Sequence, residues 1–514
     1  MTRNKMLKDT IMLSVMQLML DSSALFLNSF ITSHLGASAI GILSLMGSFL
    51  ALAGILSNGN AFLCTNRLIS EEIGKKDGNP ERVLFHGIKL CAFLSSIVSV
   101  IIFIFADDIS KKFFSGADMT AAVRFMPLAL AAGAVSSCIK GYFNAVRKAT
   151  FTAVGDIIEF AVRAAIIITM TLCMDSPDEQ DVCRILIISI TAGNIFSLVY
   201  LICGYVKFHG RKKGNNPLTF REYVSAAVPI MGGSILTSAL SSTNDAIIPM
   251  CLRQYGDSVS DALSLFGIFE AIVIPTLFFP SVVICSLSGI TVSESARANS
   301  AGNTERLQSL TSRLTEYTLF YAIFAASVLM KFGENIGILL GGGKLAGHMI
   351  EFIAPVVPFI YMEIVLEALI KGMGLQTFSS LNYLAEYVIR IFIVLIFVPK
   401  TGFYGIAASY YASNIFGNCM RFIKITRYTK TPFRPLKTIA APVLYSFLTM
   451  NTAELILKIF DMQENNMISV IIFTAVWVAL YGIVFLVINN KCHKKSENKN
   501  DFVKNTQMST RFVS

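Results

Sequence analysis

The sequence predicts an all-α polytopic membrane protein of about 14 transmembrane helices, built as two parallel six-helix repeats plus two C-terminal helices. Three observations carry this prediction. The 514-residue chain is 54% apolar and only 15% charged, with a mean hydropathy of +0.62. A soluble chain carries nearer a quarter of charged residues. Long apolar runs recur from end to end, and helices that bond their own backbone are the simplest way to carry such runs through a bilayer. The chain also repeats itself. GASAIGILSLMGSF (Gly36 to Phe49) is echoed by GDSVSDALSLFGIF (Gly256 to Phe269), with identities that include Gly36/Gly256, Leu43/Leu263, Ser44/Ser264, Gly47/Gly267 and Phe49/Phe269. Thr150 to Arg163 is echoed by Thr377 to Arg390, and Gly78-Asn79-Pro80-Glu81-Arg82 by Gly302-Asn303-Thr304-Glu305-Arg306.

In chain order the spans fall at roughly 9–33, 38–66, 83–105, 119–146, 150–174, 183–206, 222–251, 260–295, 307–331, 347–372, 377–399, 402–424, 438–459 and 466–489, each long enough to cross a bilayer. The basic start MTRNKMLKDT leads directly into the first span without a small-residue cleavage site, so that span is read as retained rather than as a signal peptide. The repeat offset covers six spans. Six is even, so both copies enter the membrane in the same direction, as parallel repeats do. The expected organisation is an N-lobe (1–206), a cytoplasmic inter-lobe linker (207–221), a C-lobe (222–425), two extra spans (426–490) and a cytoplasmic tail (491–514). Spans seven and eight carry Pro229, Pro249, Pro275 and Pro280, which makes them the helices expected to be kinked, whether as fixed bends or as bends that move.

The net charge of +10 invites a nucleic-acid reading, but its distribution argues against one. With a cytoplasmic start, the inside segments collect about 30 Lys and Arg against about 8 outside, which is a topology signal. Both termini are therefore expected in the cytoplasm. The ten cysteines form no CxxC and no Cys/His cluster, so neither a metal nor redox chemistry is expected, and Cys173 and Cys183 across one loop are read as thiols. No P-loop, GxSxG, HExxH or Rossmann glycine pattern occurs, so no catalytic residue, enzyme activity or cofactor is expected.

Ionisable residues at membrane depth are costly, so each needs a partner, a cavity or a task. Asp21 lies in span one. Asn244 and Asp245 lie in span seven, and Glu270 in span eight, just after the repeated segment. If the lobes face each other, the three acids can line one cleft. A carboxyl group there can carry a proton or bind a cation such as Na+. Alternatively, Ser, Asn and Gln neighbours hold each acid and it only fixes helix packing. Glu159 and Arg163 in span five, and Glu386 and Arg390 in span eleven, sit four apart, one turn along a helix. The plain reading is self-neutralisation within each pair. The sharper one is that the two arginines grip phosphate. Lys140 and Lys371 are expected to snorkel to the interface, with headgroup contact as the alternative. Glu367 can pair with Lys371, which leaves Glu363 as a further candidate for protonation.

Three stretches carry a resemblance to a known family. They are GYFNAVRKATFTAVGDIIEFAVR (Gly141 to Arg163), ALSLFGIFEAIVIPTLFFPSVVICSLSGITVSESA (Ala262 to Ala296) and FIAPVVPFIYMEIVLEALIKGMG (Phe352 to Gly374). The chain resembles the stage V sporulation protein B-like oligosaccharide flippases of the multidrug/oligosaccharidyl-lipid/polysaccharide exporter superfamily, over roughly residues 5–490. The resemblance implies a V-shaped pair of six-helix bundles, two extra helices and alternating access. It also implies a saccharide substrate on a polyprenyl diphosphate carrier in a cell membrane, with membrane lipids, and H+ or Na+ as coupling ion, as the other partners and no nucleic acid. A monomer suffices for that design. The lipid II flippase branch lines its cavity with arginines in spans one, two and eight. Here Asp21 and Glu270 occupy that region, so a diphosphate needs Lys or Arg from elsewhere. The alternative functions are a proton- or sodium-coupled exporter of organic cations and a non-transporting scaffold of envelope synthesis.

Overall fold

The computed structural model describes residues 3–74, 78–113, 120–173, 179–208, 218–431, 436–459, 472–484 and 486. The tail from 491 lies outside the described residues, as does 209–217 of the expected linker. Among the described residues every regular element is helical. The first half runs α1 (Arg3–Leu35), α2 (Ala37–Asn58), α3 (Ala61–Gly74), α4 (Pro80–Ile104), α5 (Ala106–Phe113), α6 (Thr120–Ala145), α7 (Ala149–Cys173) and α8 (Glu179–Phe208). The second half begins with α9 (Phe220–Tyr255) and α10 (Val259–Ile268), then a π-helical turn (Phe269–Val273), α11 (Ile274–Phe278) and α12 (Val282–Ser300). It continues with α13 (Thr304–Leu339), α14 (Gly343–Ile353), α15 (Val357–Gly372), α16 (Gln376–Thr401), α17 (Phe403–Thr429) and α18 (Ala441–Ile459). A last apolar helix, α19, covers Ile472–Val484. Ten of the described helical segments are long and apolar enough to cross a membrane. Exposed Phe93, Phe125, Phe392 and Phe447 are the side chains such a protein turns toward lipid.

Local chemistry explains the repeated loop. The Asn79 side chain accepts the backbone N–H of Arg82 at 3.1 Å, and Asn303 accepts that of Arg306 at 2.9 Å. Each Asn is the N-cap of the helix that follows, α4 or α13, and satisfies a donor that the first turn leaves open.

The four prolines act unequally. α9 runs unbroken through Pro229 and Pro249. Span eight does not: around Pro275 and Pro280 it passes through the π turn and then a 3₁₀ turn at Phe279–Ser281. Of the two helices expected to be kinked, span eight is the one whose register breaks.

The face on which α1 begins is called the near face here, and the opposite one the far face. At the far face α2 and α10 cross closely. A Cβ on Gly41 would run into the Leu263 carbonyl, and one on Gly267 into the Gly41 backbone. Ile40, Leu45, Leu263 and Phe266, all fully buried, fill this junction. The two extra helices dock on α13. Trp477 is fully buried there, its Nε1 donates to Thr449 at 3.0 Å, and Lys331 pairs with Glu454 at 2.7 Å.

Candidate functional site

Side chains from both halves converge on Asp245. Ser48 of α2 donates to Asp245 Oδ2 at 2.6 Å, and the Asn244 amide reaches Oδ1 at 3.2 Å. Ser242, one turn earlier on α9, donates to the Ser48 carbonyl at 2.8 Å and ties the same two helices. Glu270, in the π turn, accepts from the Tyr410 hydroxyl of α17 at 3.3 Å. The Arg390 guanidinium of α16 lies 4.2 Å from the Tyr410 ring centroid and donates twice to Ser413, at 3.1 and 3.0 Å. Asp245, Glu270 and Arg390 are half-buried and within electrostatic reach of one another. Two carboxylates facing one guanidinium leave the group with one negative charge in excess when both acids are ionised.

Several expectations are corrected by this geometry. Asp21 does not join the other acids: Gln17, one turn away on α1, donates to it at 2.9 Å, and no hydrogen bond or ion pair links it to Asp245 or Glu270. Arg390 is not the ion-pair partner of Glu386. Glu386 takes Arg421 of α17 instead, at 2.7 Å, because that fully buried guanidinium must find carboxylates. Arg390 is thereby left to Ser413 and the Tyr410 ring. The same holds in the first half, where Glu159 pairs with Lys140 at 3.2 Å rather than with Arg163, whose guanidinium lies over the Phe160 ring. Lys140 does not snorkel: it is largely buried and pairs with Asp156 at 2.6 Å as well. Lys371, half-exposed, does pair with Glu367 at 3.4 Å. Glu363 has a cationic partner too, Arg421 at 3.3 Å.

Arg421 thus serves three glutamates, Glu363, Glu367 and Glu386, while its guanidinium lies 4.6 Å from the Tyr383 ring centroid. Ser379 donates to Glu367, and Asn382 to Glu386 at 2.7 Å. Gly417 makes room for this arrangement, since a Cβ there would overlap the Glu386 carboxyl. Gly417→Ala is expected to push Glu386 off Arg421 and cost about 3–5 kcal/mol, as breaking a buried pair does. Thermal unfolding of the purified protein checks this, and an unchanged midpoint contradicts it.

The sequence reading missed Arg421, Tyr410 and Ser413. A signal for them existed in a further echo, Ala192-Gly193-Asn194-Ile195-Phe196 against Ala412-Ser413-Asn414-Ile415-Phe416. Ser189 and Ser409 confirm its register, since each donates to the carbonyl three residues back at 2.7 Å. In that register Ile190, Gly193 and Leu201 stand where the second half has Tyr410, Ser413 and Arg421. Leu201 and Arg421 are both fully buried. The halves share a frame, and at these three positions the first half has apolar or small side chains where the second half has polar ones.

A cavity of about 630 Å³ opens between α1, α11, α13 and α19, lined by Leu25, Thr276, Tyr317, Tyr321, Phe324 and Tyr481 among others. Its walls are almost wholly apolar. That volume is in the range of small-molecule sites. Among the described residues no three His, Cys, Asp or Glu side chains converge as metal ligands.

A repeated helical frame with ten described segments long and apolar enough to cross a membrane, and with charged side chains at the junction of its halves, is that of a multi-pass membrane protein. The chain belongs to the polysaccharide biosynthesis protein family, whose model matches residues 6–292, more than half of the 514 residues. Stage V sporulation protein B of Bacillus subtilis (strain 168) is 19% identical over 388 residues, covering 73% of this chain and 75% of the relative. The fold is similar to that of the lipid II flippase MurJ in an inward closed conformation, with a TM-score of 0.71 at 14% identity, over 93% of this chain and 99% of that one. It is also similar to an inward-facing multidrug resistance MATE family transporter, with a TM-score of 0.61 at 15% identity, over 80% of this chain and 96% of the other.

Proposed function

We propose that the protein moves a lipid-linked oligosaccharide, or a polysaccharide or peptidoglycan precursor on a polyprenyl diphosphate, from the inner to the outer leaflet. The observation that carries this reading is Arg390. It supplies, from α16, the cation that a diphosphate needs beside Asp245 and Glu270. The apolar cavity beside α19 suits a lipid chain. The halves up to 208 and from 218 act as two lobes that rock about the central group, with both termini in the cytoplasm. In this reading the near face is cytoplasmic, and the α2–α10 crossing closes the outer side. Asp245 and Glu270 exceed Arg390 by one negative charge. A proton or a sodium ion, driven by its gradient or by the membrane potential, completes the balance. The protein works as a monomer among membrane lipids.

Arg390→Gln is expected to reduce retention of an undecaprenyl-diphosphate saccharide on the purified protein at least about tenfold, the scale of a lost charged hydrogen bond. Unchanged retention sinks the phosphate role of Arg390. The surplus of carboxylates favours a second reading, proton- or sodium-coupled export of organic cations. Ethidium efflux that Glu270→Gln abolishes, with no movement of the lipid-linked saccharide, selects that reading.

A further inference from the structure

Glu270 lies inside the π turn Phe269–Val273, where the Ile274 N–H bonds the Phe269 carbonyl five residues back. The repeat partner of this segment, α2, is a regular α-helix throughout. Pro275 explains the difference. In a regular helix its N–H would serve the Ala271 carbonyl four residues back, and proline has no N–H to give. A helix interrupted in this way needs an outside donor, and π turns mark such places. The donor here comes from the other half of the molecule: the Asn28 amide of α1 donates to the Ala271 carbonyl at 2.8 Å. One turn further on, the Thr276 hydroxyl donates to the Ile272 carbonyl at 2.6 Å, within span eight.

The Asn28 bond therefore joins the two halves at the residue next to Glu270. We infer that Asn28 is a positioning residue, whose bond to Ala271 holds the π turn, and with it Glu270, in register with Tyr410 and Arg390 only while the halves are joined. This inference rests on the transporter reading above. Asn28 sits about two turns from the far-face end of α1, the side on which α2 and α10 cross. When the halves part on that side, the amide withdraws and the Ala271 carbonyl loses its outside donor. Pro275 cannot replace that donor, so the freed carbonyl must turn to another one and the backbone of the π turn shifts with it. That shift takes the Glu270 carboxyl away from the Tyr410 hydroxyl. Opening of the far face is thus tied to the position of the charge through a backbone carbonyl, without a side-chain relay.

A double-mutant cycle with Pro275 tests the inference. Asn28→Ala and the similarly sized Asn28→Leu, which has no amide donor, are each expected to slow transport in proteoliposomes about tenfold. Pro275→Ala restores an N–H for Ala271 and lets the turn relax, so it is expected to slow transport similarly. In that background Asn28→Ala then adds less than about twofold. A purely packing role for Asn28 predicts that the two effects multiply to about a hundredfold, and that Asn28→Leu, of similar size, behaves as wild type. Either result overturns the inference. The same cycle is read from thermal unfolding of the purified protein. There Asn28→Ala lowers the midpoint in the wild-type background and not in Pro275→Ala. Because that readout needs no cargo, a wrong substrate assignment leaves it intact, whereas equal shifts in both backgrounds overturn the inference alone.

Discussion

Arg421→Met is expected to destabilise the protein by about 3–5 kcal/mol, the usual consequence of removing one partner from a buried ionic group. The guanidinium is fully buried and lies within 3.3 Å of Glu363 and Glu367 and 2.7 Å of Glu386. Without it three carboxyls share a pocket with no internal cation, since Lys371, which reaches Glu367 at 3.4 Å, is half-exposed at the rim. Charge rather than volume is responsible, because Leu201 fills the corresponding place in the first half as a fully buried apolar side chain. Adding Glu363→Gln and Glu386→Gln to Arg421→Met is therefore expected to recover much of the loss, because an apolar or neutral replacement of a whole buried ionic group is often tolerated. Thermal unfolding of the single and triple variants checks both statements. A single variant within about 1 kcal/mol of wild type would show that Arg421 holds nothing together.

Gly41→Val is expected to be as severe for transport as Arg421→Met is for stability. Its Cβ would overlap the Leu263 carbonyl, a backbone atom that no rotamer change can move. Gly267 faces the Gly41 backbone from the other side, so neither helix can retreat without separating the halves. Overpacking of this kind costs about 1–3 kcal/mol or more, and here the whole cost falls on the state in which the far face is closed. A shift of about 3 kcal/mol depopulates that state roughly a hundredfold. The variant should insert normally, stay open at the far face and transport at about one per cent of the wild-type rate or less. Distance measurements between labels on α2 and α10 follow the opening directly. Wild-type distances and rate in Gly41→Val would contradict the gate.

Much of the architecture was legible in the chain. Apolar run length marks spans because the bilayer allows little else, and the Asn79 and Asn303 loops are caps whose chemistry is local. The candidate site was legible only in part. Asp245 and Glu270 stand out as acids in apolar runs, and both meet the cluster. Asp21 looked the same in sequence, yet its neighbour Gln17 satisfies it. The i,i+4 pairs Glu159/Arg163 and Glu386/Arg390 were misread because spacing along one helix says nothing about a stronger partner on the next. Lys140 and Arg421 outbid the local arginines from neighbouring helices. Arg421 itself lies near the end of the span read at 402–424, where nothing adjacent marks it, and only comparison with Leu201 in the other repeat exposes it. The role of Pro275 was half visible: the sequence marks a kink, but the donor that answers it, Asn28, is 243 residues from Ala271.

The most direct test of the account is a flipping assay in proteoliposomes carrying a fluorescent undecaprenyl-diphosphate saccharide and an outside quencher. Wild-type protein should move the lipid between leaflets. Glu270→Gln and Asp245→Asn, reconstituted at equal amounts with unchanged unfolding midpoints, should not. Full movement in both variants would contradict the claim that the Asp245–Glu270–Arg390 group is where transport is driven. No movement even in the wild type, beside gradient-driven uptake of an organic cation in the same vesicles, would replace the saccharide cargo with the cation.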